Sequence, residues 1–159
     1  MSNDLTLPVG NGLVNIRVGA IIMKEGKLLM AGNDREDYYY TVGGRIQFGE
    51  TAEEAVVREV FEETGVHMDV DRLGFVHENF FYGDAPSNMG KLIYEYDFYF
   101  YMKVPEDFDP DSMTFMEGDS EEKLVWIDPE EDSRYYPEFF RTELKEPSRE
   151  VRFFTTDER

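Results

Sequence analysis

The sequence predicts an α/β/α sandwich, a mixed β-sheet held between helical layers. Three observations lead there. Short runs rich in β-branched and aromatic residues recur along the chain; one strongly capped helical segment interrupts them at residues 51–65; a second helical signal follows near residue 137. A sheet whose strands alternate with helices needs both faces covered. At 159 residues the chain has enough material for one core, and residues 1–159 are read as a single domain.

Taken in order, residues 1–13 are polar and glycine-containing and are expected to be a loosely held start. VNIRVGAIIM at 14–23 is a strand, β-branched and apolar, closed by Glu25-Gly26. Residues 27–31 return as a second strand, 32–37 form a polar loop, and YYYTV at 38–42 is a third before Gly43-Gly44. A short extended segment at 45–48 feeds the helix. Beyond it, 66–70 alternates and 73–82 reads as a long strand. GDAPSNMG at 83–90 is a turn cluster, so 73–82 and the aromatic strand KLIYEYDFYFYMKV at 91–104 read as a long hairpin. Residues 105–120 are an acidic loop, 123–127 a last strand, and Pro129 starts a short helical piece. Pro137, at a first-turn position, starts a helix through about Leu144. The tail 149–159 pairs as an edge strand or lies free. In the aromatic strand Tyr94, Tyr96, Phe98 and Phe100 share one face and Tyr99 and Tyr101 the other. Two apolar faces imply cover on both sides or a subunit contact, and a homodimer through this hairpin is one expectation. Trp126 is expected to be structural.

The stretch GRIQFGETAEEAVVREVFEETGV, residues 44–66, carries the chemistry. Thr51 is an N-cap, Glu54 completes a capping box, and Gly65 is the stop. The last turn holds Glu59, Glu62 and Glu63, at the end where the helix dipole favours cations. At about 100° per residue these three share a stripe with Ala52, Ala55 and Val56. Val57 and Phe61 make a second apolar face, so both sides are expected to meet protein. A solvated acidic face is the simpler reading of any charge run. It does not explain an apolar stripe that ends in three carboxylates, nor like charges at i,i+4. Partly buried carboxylates in a cluster suit a hard divalent cation, Mg2+ above all, shared with substrate phosphates.

This segment resembles the Nudix box: Gly, five residues, Glu, seven residues, then Arg-Glu-aliphatic-any-Glu-Glu-any-Gly-aliphatic. Gly44, Glu50, Arg58, Glu59, Val60, Glu62, Glu63, Gly65 and Val66 fill every defined position. Val42 stands where many relatives carry proline, which concerns the turn and no catalytic group. The resemblance implies a Nudix-like sandwich and substitution at phosphorus, with water attacking a diphosphate linked to a second moiety. It implies Mg2+, with Mn2+ as a substitute, held by Glu59, Glu62, Glu63 and the carbonyl of Gly44. Glu59 would be catalytic, with Arg58 orienting it; for Glu50, holding the loop and polarising water stand level. Relatives often recruit another acid from a later loop. Glu117, Asp119, Glu121 and Glu122 are the candidates, and Glu122 is taken as the metal ligand.

Substrate contacts are expected from Arg17 and Arg45. Tyr38, Tyr39, Tyr40, Phe80, Phe81 and Tyr82 are base-stacking candidates by type, though aromatics at strand spacing favour the core. His67 and His77 are read as structural. Acidic residues outnumber basic ones 35 to 16, giving a net charge of −19 that disfavours extended nucleic-acid binding. Cysteine is absent, which removes disulfides and thiol catalysis. No leader and no run of about 20 apolar residues is present, so the expected location is the cytoplasm, off the membrane. The expected activity is Mg2+-dependent hydrolysis of a small diphosphate substrate, either a nucleoside diphosphate derivative or a nucleoside triphosphate. A non-catalytic nucleotide-sensing domain and a hydrolase of non-nucleotide diphosphates are the alternatives.

Overall fold

The computed structural model describes residues 2–159. The strands are β1 (Thr6–Val9), β2 (Gly12–Ile21), β3 (Met23–Lys24), β4 (Lys27–Gly32) and β5 (Tyr39–Arg45). Helix α1 (Ala52–Thr64) precedes β6 (Val70–Tyr82), β7 (Leu92–Met102), β8 (Thr114–Glu117), β9 (Ser120–Ile127) and β10 (Tyr135–Tyr136). Helix α2 (Phe140–Glu143) and β11 (Arg152–Asp157) close the chain. The sheet runs β11-β6-β7-β2-β5-β4-β9-β8, with β1 on β2, β10 on β5 and β3 on β4. Pairings β2–β7, β11–β6 and β10–β5 are parallel and the others antiparallel, so the sheet is mixed as predicted.

Alternation along the central strands divides the core in two. Val18, Ala20, Ile22, Val42, Phe100 and Met102 face α1 and meet Ala55, Val56 and Val60. Ile21, Phe75, Tyr99 and Tyr101 face the other way, under Tyr135, Phe140 and Leu144. Phe98 to Tyr101 are thus covered on both faces within one chain. Trp126 lies at the α1-side core, edge-on to Phe108 with ring centres 6.0 Å apart.

Several local expectations are corrected. The start is not loose: β1 pairs antiparallel with β2, and Leu5 donates to the Ile46 carbonyl at 2.8 Å, because the edge of β2 is free for it. The acidic stretch 105–120 contains β8, whose Phe115 packs at the core and which turns into β9 through Gly118 and Asp119. β9 therefore begins at Ser120, and it is not the last strand. No helix follows Pro129; the Asp128 carboxylate takes the Glu130 N–H at 2.9 Å and closes a turn instead. The helix expected from Pro137 is only the single turn at 140–143, its Phe140 drawn into the core. Residues 66–69 are not strand, whereas the tail pairs parallel with β6 as an edge strand. Phe61 is 55% exposed, since α1 lies on the sheet along Ala55, Val56 and Val60 and Phe61 projects past its edge.

The second core is largely aromatic. Phe140 is wholly buried, its ring 5.3 Å from Tyr99 and 5.7 Å from Phe75. Phe140→Ala is expected to cost about 3–5 kcal/mol, the range for emptying such a site. Urea unfolding would show it, and a loss below about 1 kcal/mol would mean that this layer collapses freely onto the sheet.

Candidate active site

Local sequence builds α1 as expected. The Thr51 hydroxyl accepts from the Glu54 N–H and the Glu54 carboxylate from the Thr51 N–H, both at 3.1 Å. Gly65 ends the helix at φ +76°, where its N–H reaches the Phe61 carbonyl at 2.8 Å. A side chain there would suffer the left-handed backbone and would also strike the Asp111 carboxylate.

The carboxylates of the last turns then meet the end of β5. A Cβ on Gly44 would lie 2.5 Å from Glu59 Oε1, so only glycine lets that carboxylate against the strand. The Gly43 N–H donates to Glu63 Oε2 at 2.8 Å. Glu63 is 6% exposed. Burial first, then the charges of Glu59 and Glu117, push it well above the ordinary carboxylate range. Glu59 is raised too, by burial against the opposing pull of Arg58.

Arg58 gathers the group. Its Nε and Nη2 hold Glu50 at 2.6 and 2.9 Å, its Nη1 holds Glu59 at 2.9 Å and Glu62 at 3.3 Å, and its Nη2 also reaches the Arg45 carbonyl at 3.1 Å. Glu50 falls below its ordinary value, chiefly through the Arg58 bond. Its other contact is the Gln47 N–H at 2.8 Å, so Glu50 ties the approach loop to the helix. Glu62 has its side chain 55% exposed and stands at the outer edge.

The later acids separate. Glu117, on β8, is the one whose charge raises both Glu59 and Glu63. Glu122, on β9, is 3% exposed and already accepts from the Tyr40 hydroxyl at 2.7 Å and from Ser120 at 3.2 Å. Among the described residues, no three acidic, histidine or cysteine side chains are already gathered as a cation's ligands. The fit to a cation rests on charge: Glu63 is buried and Glu59 partly so, and both carboxyls are raised by burial first and by the charge of Glu117. A hard divalent ion matches that donor set.

Arg17 and Arg45 are directly opposed in the β2–β5 register, so they stand side by side on one sheet face. Arg17 Nε lies 3.6 Å from Asp97 and 3.8 Å from Glu95. Arg45 Nε is buried without a hydrogen-bond partner. Of the aromatic candidates, Tyr39 belongs to the second core and Phe80 pairs with Tyr94 at 4.3 Å. Tyr38 stands edge-on to Tyr136 at 5.2 Å. His77 is buried and bonded to the Thr156 hydroxyl at 2.8 Å, as a structural residue would be. Asn15, Glu95 and Asp97, which line this face, escaped the sequence reading. The signal was two acids spaced two apart inside the most aromatic strand.

Comparison with known proteins places this arrangement. A NUDIX domain family model matches residues 14–151. A MutT-like protein of Streptomyces ambofaciens is 36% identical over 61 residues, which are 38% of this chain and 40% of that protein. The CTP pyrophosphohydrolase of Escherichia coli is 26% identical over 122 residues, 74% of this chain and 78% of its own length. The crystal structure of an ADP-ribose pyrophosphatase from Streptococcus suis superposes with a TM-score of 0.56 at 16% identity, covering 87% of this chain and 98% of that one. Fold and motif together define a class of hydrolases of diphosphate bonds. The chain belongs to the NUDIX family.

The raised carboxyls set a pH dependence. A carboxyl that holds its proton more tightly folded than unfolded stabilises fully below the unfolded pKa, and that contribution is lost as pH rises through the folded value. In chelator, wild-type melting temperature should therefore fall as pH rises above about 4.5 more steeply than that of Glu63→Gln, which keeps the acceptor for Gly43. Parallel pH profiles for the two proteins would show that Glu63 is not held protonated by its surroundings.

Proposed function

We propose that this chain hydrolyses a diphosphate linkage in a nucleoside diphosphate derivative or a nucleoside triphosphate, with Mg2+ or Mn2+. The observation that carries this reading is the seating of Glu59 and Glu63 against Gly43 and Gly44, with Arg58 behind Glu59. Glu59, Glu62, Glu63 and the Gly44 carbonyl would hold the cation, with Glu117 or Glu122 as the further acid. The ion, when bound, supplies charge neutralisation and an activated water. Arg58 keeps the Glu59 carboxylate turned to β5 and leaves its outer oxygen free. Glu50 holds Arg58 in place. Arg17 and Arg45, adjacent on the sheet face beside the glycines, would receive substrate phosphates, and the unpartnered Nε of Arg45 supports this. The activity for which the Escherichia coli relative is named, on CTP, supports a nucleotide as the second moiety.

A phosphate-release screen over nucleoside diphosphate derivatives and triphosphates, with Mg2+ and with Mn2+, tests the reading. Activity on none of them would favour a nucleotide-sensing domain. On the best substrate, Glu59→Gln, Glu62→Gln and Glu63→Gln should each lower turnover by about two to three orders of magnitude, the scale of losing one preorganised electrostatic stabiliser. Near wild-type turnover at saturating Mg2+ would remove that residue from the ligand set. Mg2+ should also raise the melting temperature, beyond NaCl of matched ionic strength. Glu62→Gln should shrink that rise, whereas an identical response would mean a merely solvated acidic face.

A further inference from the structure

The sheet face that carries Arg17 continues away from the helix as a polar floor. Register places Asn15 beside Glu95 and Asn79, and Arg17 beside Asp97 and His77, in two rows across β2, β7 and β6. Half of these groups are buried: Asn15 is 5% exposed, His77 5% and Asp97 4%. The Asn15 Oδ1 has no hydrogen-bond partner. Burial first, then the charge of Glu95, raises Asp97 well above the ordinary carboxylate range. Arg17 is their cation, its Nε at ion-pair distance, 3.8 Å from Glu95 and 3.6 Å from Asp97. A buried acceptor without a donor costs about 1–3 kcal/mol, which a fold tolerates where a ligand supplies the donor. The Asn15 Oδ1 therefore awaits an N–H group, with the Glu95 and Asp97 carboxyls beside it on the adjacent strand.

The floor also lies at a useful distance. From β5, where Gly44 meets Glu59, to β7 is two strand spacings, about 10 Å. A nucleotide with its phosphates on Arg45 and Arg17 would lay its ribose over β2 and its base over β7. Arg17 and Glu95 have side chains 31% and 17% exposed, which leaves the entry on that side.

We infer that Asn15, Glu95 and Asp97 read the exocyclic amino group of the substrate's base, so that the enzyme selects amino-bearing bases over their carbonyl counterparts. This rests on the proposed action on nucleotides. A carbonyl oxygen at that position would face acceptors, and a site built for an N–H rejects strongly the analogue that lacks it. The selection is made by the floor and is separate from the glutamates that act on the diphosphate.

Calorimetric binding of CMP against UMP and of AMP against IMP tests this without turnover. Wild type should bind the amino-bearing member of at least one pair about tenfold more tightly or better. Asp97→Asn, close in volume and carrying an N–H donor, should bring that ratio within about threefold, as should Glu95→Gln at the more open edge, where folding is less at risk. Both variants would be checked by thermal melting. A preference that only one variant weakens assigns the reading to that carboxyl. Equal binding within both pairs, no binding of any monophosphate, or a preference untouched by both variants would overturn the inference. Discrimination without hydrolysis of any nucleotide would keep it and discard the hydrolase reading; hydrolysis without discrimination would do the reverse.

Discussion

The candidate site depends on one guanidinium. Arg58 contacts Glu50, Glu59, Glu62 and the Arg45 carbonyl, and so joins the loop before the helix, the helix, and the end of β5. Without it, three carboxylates would crowd a helix end whose dipole already opposes them. An ion pair removed from water gains little net stability, because desolvation offsets the attraction. Its effect is geometric: Glu59 is held against the strand, where its carboxylate faces the glycines and not bulk water.

Glycine makes that geometry possible. The helix lies on one face of the sheet and the two arginines on the other. Gly44 lets the Glu59 carboxylate against β5 from the one side, while Arg17 and Arg45 stand in register on the other. A protein with net charge −19 thus sets two arginines side by side on one sheet face. Burial raises both Glu59 and Glu63, and charge adds to it: Glu62 and Glu117 for Glu59, Glu59 and Glu117 for Glu63.

By itself the sequence determined what local chemistry determines. Thr51, Glu54 and Gly65 set the ends of α1 because caps are made by residues within one turn of each other. The long hairpin of β6 and β7 followed from two aromatic runs around a turn cluster, and the nine box residues gave the family. What lies between distant segments came only from the tertiary structure. β8 was hidden because its apolar residues sit in an acidic neighbourhood and find their core only against α1. The helix after Pro137 shrank to one turn because burial of Phe140 outweighed propensity. Glu117 and Glu122 read alike as acids beside a strand, and the β8–β9 pairing decided that the charge of one reaches the helix carboxylates while the other bonds Tyr40. Asn15, Glu95 and Asp97 became a floor only through the parallel pairing of β2 with β7. Those residues are about eighty positions apart in the chain, and no local pattern reports which side chains a sheet will set side by side.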